Sequence, residues 1–409
     1  MNNRIYNISD FQQQKSGVLR LTLTDFRNYQ FLRINAKPGI IVIHGENGCG
    51  KTNILEAISF LTPGRGLRGA RLADIKRLVI SEKDEYSPEA ISPLNWAIAA
   101  EVQRGEDSFR IGTAVEQSSR ESTDDDEDDL RSFERRIVRV DGAKISSQAE
   151  LGKYFSAIWL TPQMDRLFRG GSQPRRSFLD RLVYAFDMEH AKRTASFDHL
   201  YKEWYHLLKE GKTDNHWIAS LEENMAAYGV AIAAARREQI ARLNTFIEHE
   251  PDDVFPSVRL ELDGVIEKML DTMPAIEVED QYRSLLAKQR RKVQYNESAE
   301  GVNRTDFKVF YRKKKMPAEL CSTGEQKSLL ISIILAQAKC QSLHKGFAPV
   351  LLLDEVAAHL DEIKKEALLE KIQAMGTQAW ITTTDADLFA SLRQDSLFFS
   401  PQEASNKAA

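Results

Sequence analysis

The run GENGCGKT, Gly45–Thr52, mixes glycines with polar residues and ends on a lysine and a hydroxyl, a spacing suited to holding phosphate. Gly45, Gly48 and Gly50 let the main chain curl so that its N–H groups point at phosphate oxygens, where Cβ atoms would obstruct them. Glu46, Asn47 and Cys49 complete the loop, and Asn53 follows it into the next element. Lys51 reaches the β- and γ-phosphates, and the Thr52 hydroxyl takes a Mg²⁺ coordination position. A second stretch, PVLLLDE (349–355), ends an apolar run on two acids, Asp354 to hold the metal and Glu355 to orient or deprotonate water. Together they describe a nucleoside triphosphatase, and the absence of an N-K-x-D guanine-reading sequence favours ATP.

A third stretch, CSTGEQKSLLISIILAQ (321–337), sets Ser322, Thr323 and Gly324 before a helical pattern, with Glu325 in its first turn. Two readings fit: a local capping box, or a second anion site on a helix N-terminus that receives phosphate from another subunit. The second makes the nucleotide the glue of a homodimer.

These groups need rigid elements behind them. VLRLTLTDF (18–26) and YQFLRINA (29–36) alternate as strands with one buried face, and GIIVIH (39–44) reads as a fully buried strand. Lys51–Leu61 has helical spacing through Ile54, Leu55, Ile58 and Leu61. NWAIAAEV (95–102), SFRIGTAV (108–115) and RRIVRV (135–140) predict further strands, the last closed by an Asp141-Gly142 hairpin turn. Between them, 116–130 is too acidic to bury itself and reads as a disordered loop. Residues 173–244 are helical in pattern, interrupted by a turn at Gly211–His216 and closed by Pro251 and Pro256, with a strand at 258–264 and a helix at 279–291. After a strand at 305–311, helices at 325–341 and 362–375 alternate with strands at 349–355 and 378–385, which signals parallel α/β architecture. The domains expected are therefore 1–172 and 301–400 as two parts of one ATPase domain, 173–300 as an inserted helical arm, and 401–409 as a tail.

Composition excludes several classes. The chain has 409 residues, 42% of them hydrophobic, enough for a sizeable core in more than one domain. No apolar run approaches the ~18 residues that span a bilayer, and the N-terminal residues lack a leader pattern, so a cytoplasmic protein without a membrane partner is expected. Cys49, Cys321 and Cys340 have neither disulfide nor zinc spacing. The net charge of −4 is more than accounted for by the acids of Asp124–Asp129, so it does not argue against a nucleic-acid partner. Local cationic groups at Arg312–Lys315, Arg290–Lys292, Arg175–Arg176 and Arg65/Arg68/Arg71 suit phosphate.

With the three motifs in this order, the chain resembles the ABC-type ATPases. CSTGEQ is similar to their signature motif, and AHLD (358–361), a few residues past the metal acid, to their D-loop. Within that superfamily LRLTLTDFRNYQ, GENGCGKTNILEAISFLTPGRGLR, QMDRLFRGGSQPRRSFLDRL, STGEQKSLLISIILAQA and VLLLDEVAAHLD resemble, in sequence and order, segments of the RecF family of bacterial DNA repair proteins. The resemblance implies an ABC-type ATPase head of mixed antiparallel and parallel sheets carrying an inserted helical arm. It implies slow, DNA-stimulated hydrolysis of ATP with Mg²⁺, and homodimerisation around ATP on duplex DNA or single-strand/duplex junctions, read without base sequence. It also implies placement of the RecA recombinase with RecR and RecO. Carried over by position, Ser322 and Gly324 cap the γ-phosphate of a partner, Asp361 is the D-loop acid, Gln163 a γ-phosphate sensor beside the metal, and Arg68 a cation for transition-state charge. Two departures stand out: GVNRTDF (301–307) replaces a Gly-Pro-His-Arg-like run, and Thr383 stands where transporter ATPases keep a switch histidine. A transporter subunit would place the signature about a hundred residues after the lysine, far short of Ser322; an SMC protein would fill the interval with a much longer coiled coil. A nucleotide-gated clamp on another DNA or protein partner is the remaining alternative.

Overall fold

The structure is a computed structural model that describes residues 16–80, 91–93, 95–118, 133–211, 215–249, 254–295, 297, 299–394 and 396–402. The described residues of Met1–Pro162 and Gln341–Ala409 form one compact unit, and Gln163–Cys340 forms the other.

The first unit opens with β1 (Ser16–Phe26), β2 (Tyr29–Asn35), β3 (Ile40–His44) and α1 (Lys51–Ser59). β4 (Leu78–Ile80) and β5 (Ile91–Pro93) pair antiparallel; β6 (Ala97–Arg104), β7 (Asp107–Ser118), β8 (Phe133–Val140), β9 (Ala143–Lys144) and β10 (Ala157–Leu160) follow. The chain then builds the second unit from α2 (Ser172–Tyr184), α3 (His190–Lys209), α4 (Asn215–His249), β11 (Val258–Asp263), α5 (Val265–Met269), α6 (Ala275–Gln294), β12 (Asp306–Tyr311), β13 (Met316–Pro317) and α7 (Thr323–Lys345). It finishes in the first unit with β14 (Val350–Leu353), α8 (Glu362–Ala374), β15 (Ala379–Thr383) and β16 (Leu397–Phe399).

The first unit holds two sheets. One is antiparallel, in the order β2-β1-β6-β7-β8-β9, and the other is parallel, in the order β10-β14-β15-β3-β16. The strands that read as continuous apolar runs, β3 and β14, lie inside the parallel sheet, as does the wholly buried β15, and the edge strand β10 is wholly buried too; burial on both faces removes any need for alternation. Gln378 stitches the two sheets together. Its Oε1 accepts from the Val18 amide (2.7 Å) and from Trp380 Nε1 (2.9 Å), and its Nε2 donates to the carbonyls of Val18 (2.9 Å) and Lys37 (3.0 Å). A side-chain amide thus replaces a strand partner where β1 changes register between Val18 and Arg20. Gly17 makes room for it, since a Cβ there would sit 2.7 Å from the Gln378 Cδ.

The second unit has its own core, with Phe197, Trp204, Met225, Val230, Tyr282 and Leu286 among its members. α4, with 35 residues, is the longest helix among those described, about 52 Å at 1.5 Å per residue. Packing, rather than composition, moves the boundaries from the expected 173 and 301 to Gln163 and Gln341. β12 pairs with β11 along its length, Phe307 meets Phe178 at 6.1 Å, and Arg175 and Asp306 form an ion pair at 2.7 Å. The signature helix α7 belongs largely here as well, its Gln337 donating to the Leu182 carbonyl (2.9 Å) and accepting from Gln239 (2.7 Å). The expected acidic loop also starts later than its composition suggests. Glu116–Ser118 extend β7 opposite Phe133–Arg135, and 119–130 lies outside the described residues, as do 1–15, 212–214, Pro251 and 403–409.

Asp180 on α2 ties three helices of this unit. It accepts two bonds from Arg236 of α4 (2.8 and 2.9 Å) and pairs with His190 Nε2 of α3 at 2.8 Å. Burial pushes its carboxyl pKa up, but Arg236 and His190 outweigh that and bring it down to about 2. The pair therefore contributes stability fully above the unfolded carboxyl pKa of about 3.9, and that contribution disappears as pH falls toward about 2. Asp180→Asn, which leaves the buried Arg236 only its longer pairing with Glu267 at 3.9 Å, is expected to lower stability by about 3 kcal/mol at neutral pH. Urea melts of wild type and variant should converge below about pH 2; a gap that persists there would show that the loss is packing alone.

Candidate active site

The carboxyl ends of three neighbouring parallel strands build the site. In register, Thr382 and Thr383 of β15 lie opposite Ile43 and His44 of β3, and Ile381 lies opposite Leu353 of β14. The loop after β3 and the acids after β14 therefore emerge at the same edge, with β15 between them.

In the loop, Gly45, Gly48 and Gly50 all take positive φ, as their expected role requires. At Gly50 the constraint is double: φ is 102°, and a Cβ would meet the Tyr29 hydroxyl at 2.5 Å. Burial, together with the neighbouring Cys49, raises the pKa of that hydroxyl, so it stays neutral. Lys51 is buried, and its Nζ donates to the carbonyls of Gly45 (2.6 Å) and Glu46 (2.8 Å), which keeps the ammonium inside the curl. Asn53 donates to Asn28 (2.8 Å), whose own Nδ2 reaches the Cys49 carbonyl at 3.3 Å, so the loop is braced from β2's turn.

Thr52 Oγ1 lies 2.9 and 3.1 Å from the two carboxylate oxygens of Asp354. A hydroxyl and a buried carboxylate at this separation fit a Mg²⁺ ion, which takes one or two protein oxygens and completes its shell with phosphate and water. Thr382 then locks the acid: its Oγ1 donates to Asp354 Oδ1 (2.7 Å) and accepts from the Glu355 amide (2.9 Å). Glu355 itself has left-handed backbone, φ 50° and ψ 33°, a conformation unusual for a side chain of its kind. That turn takes the main chain out of the extended line of β14, and such strain clusters at functional sites.

α1 is held at both ends. Glu56, fully buried, takes two bonds from Arg27 (2.7 and 2.9 Å) and one from Arg68 (2.8 Å); Arg68 also donates to Asn53 Oδ1 at 2.8 Å. The guanidinium of Arg68, expected to meet transition-state charge, is thus engaged in neutralising Glu56 and fixing Asn53. At the other end the buried Arg136 donates to the carbonyls of Phe60 and Gly64 (2.8 Å for Gly64) and stacks 5.1 Å from the Phe60 ring. A cation suits a helix C-terminus, and burial brings the pKa of this one down to about 10.

Of the two readings weighed from the sequence, the local capping box is present: the Ser322 amide and hydroxyl donate to Glu325 Oε2 (3.0 Å each), and the Glu325 amide donates back to Ser322 Oγ at 3.3 Å. Lys314 pairs with Glu325, and these contacts bring the Glu325 carboxyl down to about 2. Yet Ser322, Thr323 and Gly324 are exposed, so the cap leaves their outer surface open. Asp361 caps α8 through the Lys364 amide (2.9 Å) and is exposed; that bond, followed by the one to the Lys364 side chain, lowers its pKa. Gln163 is exposed in the short 3₁₀ turn Pro162–Arg166. Sequence reasoning missed Thr382, Glu56, Arg27 and Arg136. For Thr382 the only signal was its place in ITTTD, one residue before the switch position.

A family model described as an AAA domain matches residues 20–174. The DNA replication and repair protein RecF of Rhizobium rhizogenes is 41% identical over 387 residues, 94% of this chain and 96% of that protein. The protein of the same description from Mesorhizobium japonicum is 40% identical, over 92% and 94% of the two chains. Among solved structures, one described as the recombination mediator protein RecF-ATPrS in the RecFOR pathway matches with a TM-score of 0.75 at 20% identity, over 92% of this chain and 95% of its own. Its RecF-ATP counterpart matches at 0.73 and 21%, over 92% and 94%. At these identities the likeness shows the fold: a mixed α/β head with parallel and antiparallel sheets.

Thr382→Val keeps the shape of β15 and removes the donor to Asp354 and the acceptor for Glu355. It is expected to lower ATP turnover by about 10- to 100-fold while ATP affinity changes much less. Steady-state kinetics beside equilibrium binding of a fluorescent ATP analogue would check this, and equal losses in both would mean that Thr382 serves binding alone.

Proposed function

Because this chain belongs to the RecF family of DNA replication and repair proteins, we propose that it is an ATPase whose ATP-bound form dimerises on DNA and marks gaps or single-strand/duplex junctions for repair. The observation that carries the reading is the pairing of a complete phosphate and metal edge, Lys51, Thr52, Asp354 and Glu355, with a capped but exposed signature end, Ser322–Gly324.

The loop amides and Lys51 bind the triphosphate. Thr52 and Asp354 would hold Mg²⁺, which when bound supplies positive charge to the β- and γ-phosphate oxygens. Glu355 orients the attacking water and takes its proton, and Thr382 sets both acids at the right offset. Gln163 senses the γ-phosphate; Arg68 acts through Asn53 and Glu56 rather than on the phosphates. The loop of one protomer cradles ATP, and the hydroxyl of Ser322 and the amide of Gly324 on its twin complete the γ-phosphate site, with Asp361 at the same seam. Hydrolysis, slow and stimulated by DNA, then releases the dimer. The assembled dimer reads DNA shape and backbone and works with RecR- and RecO-type mediators to place RecA.

Glu355→Gln is expected to reduce turnover on the order of 10²–10⁴-fold and to trap an ATP-dependent dimer on gapped DNA. Multi-angle light scattering of the variant with saturating Mg-ATP should give twice the monomer mass, and a monomer under those conditions would defeat the sandwich. Ser322→Arg should abolish dimerisation and leave ATP binding to the monomer intact; loss of both would show that Ser322 belongs to its own subunit's site.

A further inference from the structure

The outward face of the six-stranded sheet has an unusual side-chain pattern. Register connects one row across all six strands: Arg33 (β2), Thr22 (β1), Ala99 (β6), Gly112 (β7), Arg139 (β8) and Lys144 (β9). The next row contributes Arg20, Glu101 and Arg110. Small residues floor the middle of the face and cations rim it. The result is an open trough of about 530 Å³ lined by Arg20, Arg33, Arg110 and Arg139, with Glu101 the one carboxylate among its lining residues. Glu101 pairs with Arg20 at 3.5 Å, and among the described residues no carboxylate forms an ion pair with Arg33, Arg110, Arg139 or Lys144.

Gly112 is the second observation. It lies inside the 12-residue strand β7, has no positive φ, and a Cβ built on it meets nothing within 4 Å. Neither its backbone nor its packing against the described residues calls for glycine there, although glycine in a strand interior weakens the strand. A bare main chain at the floor of a cationic trough suits close approach by an extended ligand.

We propose that this sheet face binds the phosphodiester backbone of a nucleic-acid strand. Arg33 and Arg139 are four strand spacings apart, about 19 Å, and Arg20 and Arg110 two spacings, about 10 Å. A strand with a phosphate every ~3.4 Å can engage all four, whereas one nucleotide's phosphates reach one or two. Guanidinium groups take phosphate oxygens in pairs, so the contact the trough offers is with the backbone. The proposal takes the kind of polymer from the function proposed above; the location and the cation pattern stand on the sheet itself.

The test uses the full-length protein and fluorescence anisotropy with a labelled single strand and a labelled duplex over a range of salt. The triple variant Arg33→Ala/Arg110→Ala/Arg139→Ala is expected to flatten the plot of log K against log salt by about 2–3 and to weaken binding about tenfold or more at moderate salt. Gly112→Val should also weaken binding, without lowering the thermal midpoint, since valine suits a strand. ATP hydrolysis without DNA should be unchanged in both. Wild-type slope and affinity in both variants would overturn the sheet-face assignment and leave the proposed function standing, whereas a wild-type protein that binds neither oligonucleotide would overturn both. Displacement of the DNA by polyaspartate at equal charge concentration would also count against it, since the face would then read charge and not phosphate.

Discussion

The chemistry of this protein depends on one hydrogen-bonded chain, Thr52 to Asp354 to Thr382 to the Glu355 amide, which crosses three elements at the edge of the parallel sheet. Each link joins residues far apart in sequence, brought together by the register of β14 with β15 and by the start of α1 at the same edge. A slip of one residue between β14 and β15 would move Thr382 away from Asp354 and turn its side chain to the opposite face. Asp354 and the Glu355 backbone are therefore set by the same strand pairing that forms the core, and the candidate site inherits that core's rigidity.

The site is also insulated by charge held in place away from the reacting groups. Glu56 is neutralised by Arg27 and Arg68, and Arg136 holds the far end of the same helix. A buried carboxylate with two guanidinium partners costs desolvation that only good geometry offsets. Here the geometry orients α1, and α1 carries Lys51 and Thr52. In the second unit, the Asp180–Arg236 pair does comparable work for α2, α3 and α4.

The sequence disclosed what depends on local pattern. Apolar runs and alternation located β1, β2, β3, β14 and β15, and the Asp141-Gly142 turn marked the β8–β9 hairpin. GENGCGKT and LLLDE are legible because their chemistry needs fixed residue types at short spacing. β10, β16 and α5 escaped notice because each spans only a few residues, too few for a period to show. Thr382 and Glu56 were invisible for another reason: their partners lie up to 29 residues away, brought near by folding alone. The domain boundaries moved because composition says where helices occur and nothing of what β12 pairs with. The signature stretch forms the local capping box that its spacing allows, and Ser322–Gly324 stay exposed beside it.

Glu355 places two requirements on one position. Its left-handed backbone, φ 50°, costs about 1–2 kcal/mol for an ordinary L-residue and almost nothing for glycine. A search for thermostable sequences that scored only folding would therefore favour glycine here, as at Arg27 and Lys315, which share this backbone region, and would remove the carboxylate proposed to act on water. With the role proposed for its carboxylate, selection for folding and selection for turnover would oppose each other at this residue.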